Sequence, residues 1–178
     1  MKKQPAIFLD RDGTLNIDVQ YTHKISDFRW VRGAPEALQL FSEAGLDIFI
    51  VTNQGGIGRG IFTESDMHRF NNHLIADAAA IGGQIKDVAF CPHHPMAITS
   101  NLLTPCPCRK PGHKMIVDLA EKWSLDLAAS VMIGDRESDV AAGKAAGCQA
   151  YLFDGSDLLE LARHVLNQHF TRLLMERS

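Results

Sequence analysis

Ala6-Ile7-Phe8-Leu9-Asp10-Arg11-Asp12-Gly13-Thr14 is the stretch whose reading decides the fold. Four apolar residues in a row read as a short strand buried on both faces, the habit of a parallel sheet. Two carboxylates one residue apart at its end are costly, because charge at the edge of an apolar core needs compensation. A bound cation supplies it. Gly13-Thr14 lets the backbone turn sharply and offers amide donors to an anion. The same residues also suit an ordinary strand-end turn, so the choice depends on what the rest of the chain brings to this point.

Working outward, β-rich runs alternate with helical patterns. Strands are predicted at 6–9, 47–51, 87–90, 130–133 and 150–153. A helix is expected at 35–44, with a proline in its first turn and Gly45 just past its end. A second starts at Thr63 with Asp66 as a capping-box partner, and its core face is Met67, Phe70, Leu74, Ala78 and Ile81. A third carries Ile116, Leu119, Ala120 and Trp123. A short one follows Asp135 and ends at Gly147, and the last carries Leu158, Leu161, Ala162, Val165 and Leu166. This alternation predicts an α/β fold: an open, doubly wound, mainly parallel Rossmann-like sheet with right-handed crossovers. Ligands in such sheets bind beyond the carboxyl ends of the strands. Asp10, Thr52 and Asp135 each follow a predicted strand, so all three should meet at one edge.

At 178 residues the chain reads as a single domain spanning 1–178, large enough for a proper hydrophobic core. A formal charge of −3 leaves no global basic footprint for nucleic acid, so any anion site must be local. Met1-Lys2-Lys3 precedes only a short apolar run that ends in Asp10, which reads as a strand and not as a signal peptide. No segment approaches the roughly 20 apolar residues of a membrane span. A soluble, cytoplasmic chain without a membrane partner is expected. No interface stripe stands out, so a monomer is the default.

Three further segments carry chemistry. Thr52-Asn53-Gln54-Gly55-Gly56 offers a hydroxyl, two amides and glycine backbone, suited to a phosphate oxygen or to a plain loop. Arg109-Lys110-Pro111 stands before the third helix, where the helix dipole disfavours cations unless an anion sits between; a solvated surface pair is the alternative. Gly134-Asp135-Arg136-Glu137-Ser138-Asp139 places Asp135 and Asp139 four apart at a helix start. Helix capping accounts for them, but so does a cation, because several carboxylates at one edge cannot all stay ionised alone. Oxygen-only ligands favour Mg2+.

Cys91-Pro92-His93 and Cys106-Pro107-Cys108 supply three thiols and an imidazole, the ligand set of a closed tetrahedral zinc site. A disulfide is the alternative, disfavoured by the C-x-C spacing and the expected compartment. With four protein ligands, Zn2+ would be structural, pinning a short loop over 91–108 and holding Arg109 and Lys110. His94, His68, His73, His113, His164 and His169 read as solvated, and Cys148 as a buried thiol beside a strand.

In order, these pieces resemble the haloacid dehalogenase superfamily of phosphotransferases: D-x-D-G-T, a strand-end Thr, a Lys, then G-D-x-x-x-D, matched over 6–140. Asp12 points to its phosphatases, since the dehalogenase branch lacks this second Asp. The zinc loop, Cys91-Pro92-His93-His94-Pro95 with Cys106-Pro107-Cys108-Arg109-Lys110-Pro111, looks like the branch of heptose bisphosphate and histidinol-phosphate phosphatases. Asp18-Val19-Gln20-Tyr21 with His23, and Gln54 to Gly60 before Phe62-Thr63, resemble the heptose side. The segment Pro111-Gly112-His113-Lys114-Met115 departs from the usual R-K-P-x-P-G-M.

The resemblance implies Mg2+-dependent removal of the C7 phosphate of D-glycero-D-manno-heptose 1,7-bisphosphate, in ADP-heptose and lipopolysaccharide core precursor synthesis. By it, Asp10 is the nucleophile and Asp12 the acid–base. Asp10 and Asp135 hold Mg2+, with Asp139 and the Asp12 backbone carbonyl beside them. Thr52 and Lys110 bind the phosphoryl oxygens. Arg109 takes a second phosphate; Asp18, Val19, Gln20, Tyr21, Asn53, Gln54, Gly55, Arg59 and Arg136 line the substrate end. Only a helix and a loop fit between Asp12 and Thr52, so no large cap domain is expected. Asp12→Asn is expected to stop turnover and spare the fold. The alternatives are a histidinol-phosphate phosphatase, a nucleic acid 3′-phosphatase and a non-catalytic phospholigand-binding module.

Overall fold

Strand and helix alternate along the chain as the apolar patterning requires: β1 (Ala6–Leu9), α1 (Ala34–Glu43), β2 (Asp47–Asn53), α2 (Gly55–Gly58), α3 (Glu64–Ala80), β3 (Ile85–Cys91), α4 (Lys114–Trp123), β4 (Val131–Gly134), α5 (Glu137–Ala146), β5 (Gln149–Leu152) and α6 (Leu158–His169). The structure, a computed structural model, describes residues 3–171 and Met175. Met1 and Lys2, from the segment read as leading into the first strand, lie outside the described residues.

The strands form one sheet in the order β3-β2-β1-β4-β5, and every neighbouring pair is parallel. Period-two alternation then decides which layer each side chain enters. Ile7, Leu9, Ile48, Ile50, Val131 and Ile133 face a core closed by α1, α3 and α6. Ala6, Phe8, Phe49, Val51 and Met132 face a second core under α4 and α5. Helices on both faces explain why β1 and the first residues of β4 are apolar throughout and fully buried.

Local signals set the helix ends. The Thr63 hydroxyl accepts from the Asp66 backbone N–H at 3.1 Å, and the Asp66 carboxylate accepts from the Thr63 N–H at 2.8 Å, completing the expected capping box. Met67, Phe70, Leu74 and Ala78 are buried as the periodicity requires, whereas Ile81 is 37% exposed. Ile81 is the residue after the helix ends, so its side chain leaves the buried stripe.

The strand order carries the functional consequence. The chain winds from β1 out to β2 and β3, then returns to β4 on the other side of β1, which makes the carboxyl ends of β1 and β4 the switch point of the sheet. Asp10 follows β1 and Asp135 follows β4, and the Asp10 backbone N–H donates to the Ile133 carbonyl at 2.9 Å across the gap. Between β1 and α1, the only helical element among the described residues is a 3-10 turn at Ile25–Asp27, so the segment that follows Asp12 is short and carries no helical layer of its own.

Candidate active site

The turn after β1 depends on Gly13, whose φ of 88° lies in the left-handed region open to glycine. It leads Asp10 and Asp12 out of the strand on different errands. Asp10 is buried against Lys110, whose Nζ donates to Asp10 Oδ1 at 2.7 Å and to the Val51 carbonyl at 2.7 Å. The same ammonium lies 2.7 Å from Asp139 Oδ1. Burial and the Asp139 charge push the Asp10 carboxyl up to about 7, although the Lys110 cation pulls the other way. Lys110 has its own ammonium held above the ordinary range. Burial lowers it, but the charges of Asp10 and Asp139 outweigh that effect.

Asp135 completes an acidic group. Oxygens of Asp10, Asp135 and Asp139 lie within 4.8 Å of one another. Burial, then the charge of Asp139, raises the Asp135 carboxyl. Asp135 Oδ1 is buried and has no hydrogen-bond partner. Such an orphan oxygen among neighbouring carboxylates fits a cation, because adjacent and opposite oxygens around Mg2+ sit about 3 Å and about 4.2 Å apart. Asp139 is committed elsewhere as well: its Oδ2 accepts the Arg136 backbone N–H at 2.9 Å, closing a capping box on α5. The capping and metal readings of this motif are therefore compatible, with Asp10 and Asp135 holding the freer oxygens.

The Asp12 carboxylate lies outside that group. It accepts from Arg11, from Asn16 Nδ2 at 3.0 Å and from Gln54 Nε2 at 2.8 Å, and its open edge faces the cleft. Gln54 Nε2 also donates to Thr52 Oγ1 at 2.8 Å, so one amide ties the Thr52 hydroxyl to Asp12. Asn53 holds the Lys110 backbone from both sides: its Oδ1 accepts the Lys110 N–H at 3.0 Å and its Nδ2 donates to the Lys110 carbonyl at 3.2 Å.

Behind Lys110 stands the cysteine loop. Cys91, His93, Cys106 and Cys108 converge, with sulfur–sulfur separations of 3.0, 3.5 and 3.6 Å and His93 Nδ1 3.3 and 3.4 Å from two of the sulfurs. A tetrahedron with metal–sulfur bonds of about 2.3 Å has edges of about 3.8 Å. All four cysteines of the chain are free thiols, and none of these distances is that of a disulfide. The donor set and its convergence suit a tetrahedral metal ion, although the sulfurs stand closer together than the edges such an ion would set. The loop reaches the cleft directly: the Arg109 backbone N–H donates to Cys106 Sγ at 3.4 Å, and Arg109 Nη1 donates to the His93 carbonyl at 2.9 Å. It packs on α2, where a Cβ at Gly58 would stand 2.6 Å from the Pro92 carbonyl oxygen, so this close approach needs glycine.

A cleft of about 470 Å3 joins these parts. Of the residues expected at the substrate end, Asp18, Gln20, Tyr21, Asn53, Gln54, Gly55, Arg109 and Arg136 line it. Val19 and Arg59 do not. Val19 is exposed, and Arg59 instead donates to the Tyr21 hydroxyl, with its guanidinium 5.3 Å from the ring centroid. Gln20 and Tyr21 both adopt positive φ, at 65° and 57°, a strained tip at the cleft wall. His94 departs from its solvated reading. It is half-buried in the cleft wall, and burial followed by the Arg109 and Arg59 charges lowers its pKa. No periodicity marks it; only its place beside His93 of the cysteine loop points to the site. Cys148 is buried as expected, its thiol pushed up to about 12 by burial.

A family model described as "HAD-hyrolase-like" matches residues 107–166. The chain is 40% identical over 164 residues to the D-glycero-beta-D-manno-heptose-1,7-bisphosphate 7-phosphatase of Rhodopseudomonas palustris, covering 92% of this chain and 91% of that one. It is 39% identical over 145 residues to the D-glycero-alpha-D-manno-heptose-1,7-bisphosphate 7-phosphatase of Photorhabdus laumondii, covering 82% and 79%. Its fold is similar to the crystal structure of D,D-heptose 1,7-bisphosphate phosphatase from B. bronchiseptica complexed with magnesium and phosphate. The TM-score is 0.80 at 27% identity, over 93% of this chain and 99% of that one. No helix among the described residues is long and apolar enough to cross a membrane.

Proposed function

The chain belongs to the haloacid dehalogenase-like phosphatases, in the family that holds the heptose-1,7-bisphosphate 7-phosphatases, and from that premise we propose how its cleft releases the C7 phosphate of D-glycero-D-manno-heptose 1,7-bisphosphate. The observation that carries the assignment of roles is the meeting of Asp10, Lys110 and Asp139 with Asp12 in one cleft at the β1/β4 switch point, with Asp135 beside Asp10 and Asp139.

The Asp10 carboxylate attacks phosphorus, and the bond from phosphorus to the C7 oxygen breaks as Asp12 hands that oxygen a proton. Asp12, now a carboxylate, takes a proton from water as the water attacks the aspartyl-phosphate. Phosphate leaves and Asp10 is restored. Lys110 Nζ and the Thr52 hydroxyl, both on the cleft beside Asp10, donate to the transferring phosphoryl oxygens in this reading, and donors placed before the reaction begins stabilise charge as it develops. Asp10 and Asp135, with Asp139 and the Asp12 backbone carbonyl beside them, would hold Mg2+, which would supply positive charge to balance the carboxylates and the phosphoryl group. Cys91, His93, Cys106 and Cys108 would hold a structural Zn2+, and through its contacts to Cys106 and His93 the loop keeps Arg109 in place for the second phosphate, which its planar fork suits. Arg136, Asp18, Gln20 and Tyr21 line the sugar end. The product belongs to the making of ADP-heptose for the lipopolysaccharide core.

The test is phosphate release from both anomers of the heptose bisphosphate, from histidinol phosphate and from a hexose 1,6-bisphosphate. A heptose anomer is expected to lead in kcat/KM by at least about tenfold, or about 1.4 kcal/mol of transition-state binding. Faster turnover of histidinol phosphate overturns the substrate assignment.

A further inference from the structure

We propose that Arg11 is the positioning residue for Asp12, fixing the orientation in which that carboxylate exchanges a proton with the substrate; the inference rests on Asp12 being the acid–base of the reaction above. Arg11 is wholly buried, which is costly for a cation unless its charge and donors are matched. Among the described residues, Asp12 is the one carboxylate that forms an ion pair with it, at 2.8 Å.

The contact is a fork. Nε donates to Asp12 Oδ1 at 3.1 Å, while Nη2 reaches Oδ1 at 3.0 Å and Oδ2 at 2.8 Å. Two-point contact fixes the rotation of the carboxylate plane, which a point charge would leave free. The guanidinium is itself immobilised. Nη1 donates to Asn71 Oδ1 of α3 at 2.9 Å, Nη2 to the Thr22 carbonyl at 2.7 Å and to Gln54 Oε1 at 3.2 Å, and the group lies 4.6 Å from the Phe70 ring centroid. Asp12 is thus pinned along its back while its side chain keeps 18% exposure. Through Thr22 the same guanidinium ties Asp12 to the segment whose Asp18, Gln20 and Tyr21 line the cleft. Proton transfer needs the acid within hydrogen-bond reach of the departing oxygen, and a misplacement of about 1 Å can cost about 10²-fold.

A role in orienting the acid has a signature that a purely structural role lacks. A sugar alkoxide must receive a proton as its bond to phosphorus breaks; p-nitrophenolate leaves without one. The experiment measures single-turnover release of the leaving group from the heptose bisphosphate and from p-nitrophenyl phosphate, with metal-loaded full-length enzyme in excess. Arg11→Lys and Arg11→Met should slow release of the sugar by about 10²-fold and of p-nitrophenolate by less than about threefold. Asn71→Leu, which frees the far end of the guanidinium and leaves Asp12 untouched, should give the same selectivity at about tenfold. It keeps the test open if the Arg11 variants do not fold. Equal slowing of both substrates in the folded variants overturns the inference. Asp12→Asn serves as the reference: a selective loss there without one in the Arg11 and Asn71 variants refutes the role of Arg11 alone. Non-selective slowing in Asp12→Asn refutes the acid–base reading itself.

Discussion

Replacing Asp12 by Asn should leave the chain folded, as the sequence implies. The structure adds that it should lower the stability of that fold as well as stop turnover, because it strands a buried cation. Arg11 has no solvent exposure, and Asp12 is its ion-pair partner at 2.8 Å. Removing one member of a buried pair costs about 3–5 kcal/mol, since the remaining charge keeps its desolvation penalty and loses its compensation. Two features of the site reduce that figure. The Asp12 side chain is 18% exposed, so the pair is not fully dry. An Asn side chain also leaves an acceptor oxygen for the fork, and Asn71, Thr22 and Gln54 still accept from the guanidinium. A loss of about 2 kcal/mol is expected. At about 2–4 °C per kcal/mol for a chain of this size, Tm falls by about 4–8 °C. Calorimetry on the metal-loaded protein measures it, with urea unfolding as a second axis. The double variant Arg11→Met with Asp12→Leu removes both charges and should be more stable than Asp12→Asn alone. A single variant that melts within about 1 °C of wild type, or a double variant less stable than the single, refutes the argument from the stranded cation.

Three other outcomes follow from the same geometry. Asp10→Asn removes the nucleophile and should cut Mg2+-dependent phosphate release by at least about 10³-fold; retained turnover excludes Asp10 from the covalent step. The raised Asp10 carboxyl makes the metal-free native state bind more protons than the unfolded chain between about pH 4 and about pH 7. The stability of the metal-free fold therefore falls as pH rises through that window, and Mg2+ binding, which displaces the proton, strengthens over the same range. The Mg2+-induced rise in Tm should accordingly be larger at about pH 8 than at about pH 5.5, and equal rises contradict the assignment of Asp10 as a ligand. Finally, metal analysis should find about one zinc per chain. Cys106→Ser should lower that content and, by freeing the Arg109 backbone N–H, raise KM for a bisphosphate more than it lowers kcat. Unchanged zinc and an unchanged KM contradict the structural link.

Much of the architecture is legible in one dimension, and the reasons are local. β1 falls at Ala6–Leu9 as its apolar run requires, and β2 extends two residues beyond the expected end to Asn53 because Thr52 and Asn53 keep pairing with Phe90 and Cys91. The Thr63–Asp66 box starts α3 because both partners lie within one turn. The one-turn helix α2 stays hidden in its glycine-rich stretch, since four residues carry too little periodicity to announce it. The cysteine cluster was legible because donor chemistry, more than position, identifies it.

The opening Asp-Arg-Asp shows where this stops. Sequence placed both carboxylates at a sheet edge and marked a cation as the means of balancing them. It could not separate their environments, because these depend on partners far along the chain: Lys110 lies 100 residues from Asp10, and Asn71 lies 60 from Arg11. Nor could composition tell the buried arginine between them from a solvated one, since burial belongs to the packed layers and not to the residue. Apolar periodicity and capping chemistry determine the elements and their order. Only their packing around the β1/β4 switch point decides that Asp10 faces Lys110 and Asp135 while Asp12 is held by Arg11.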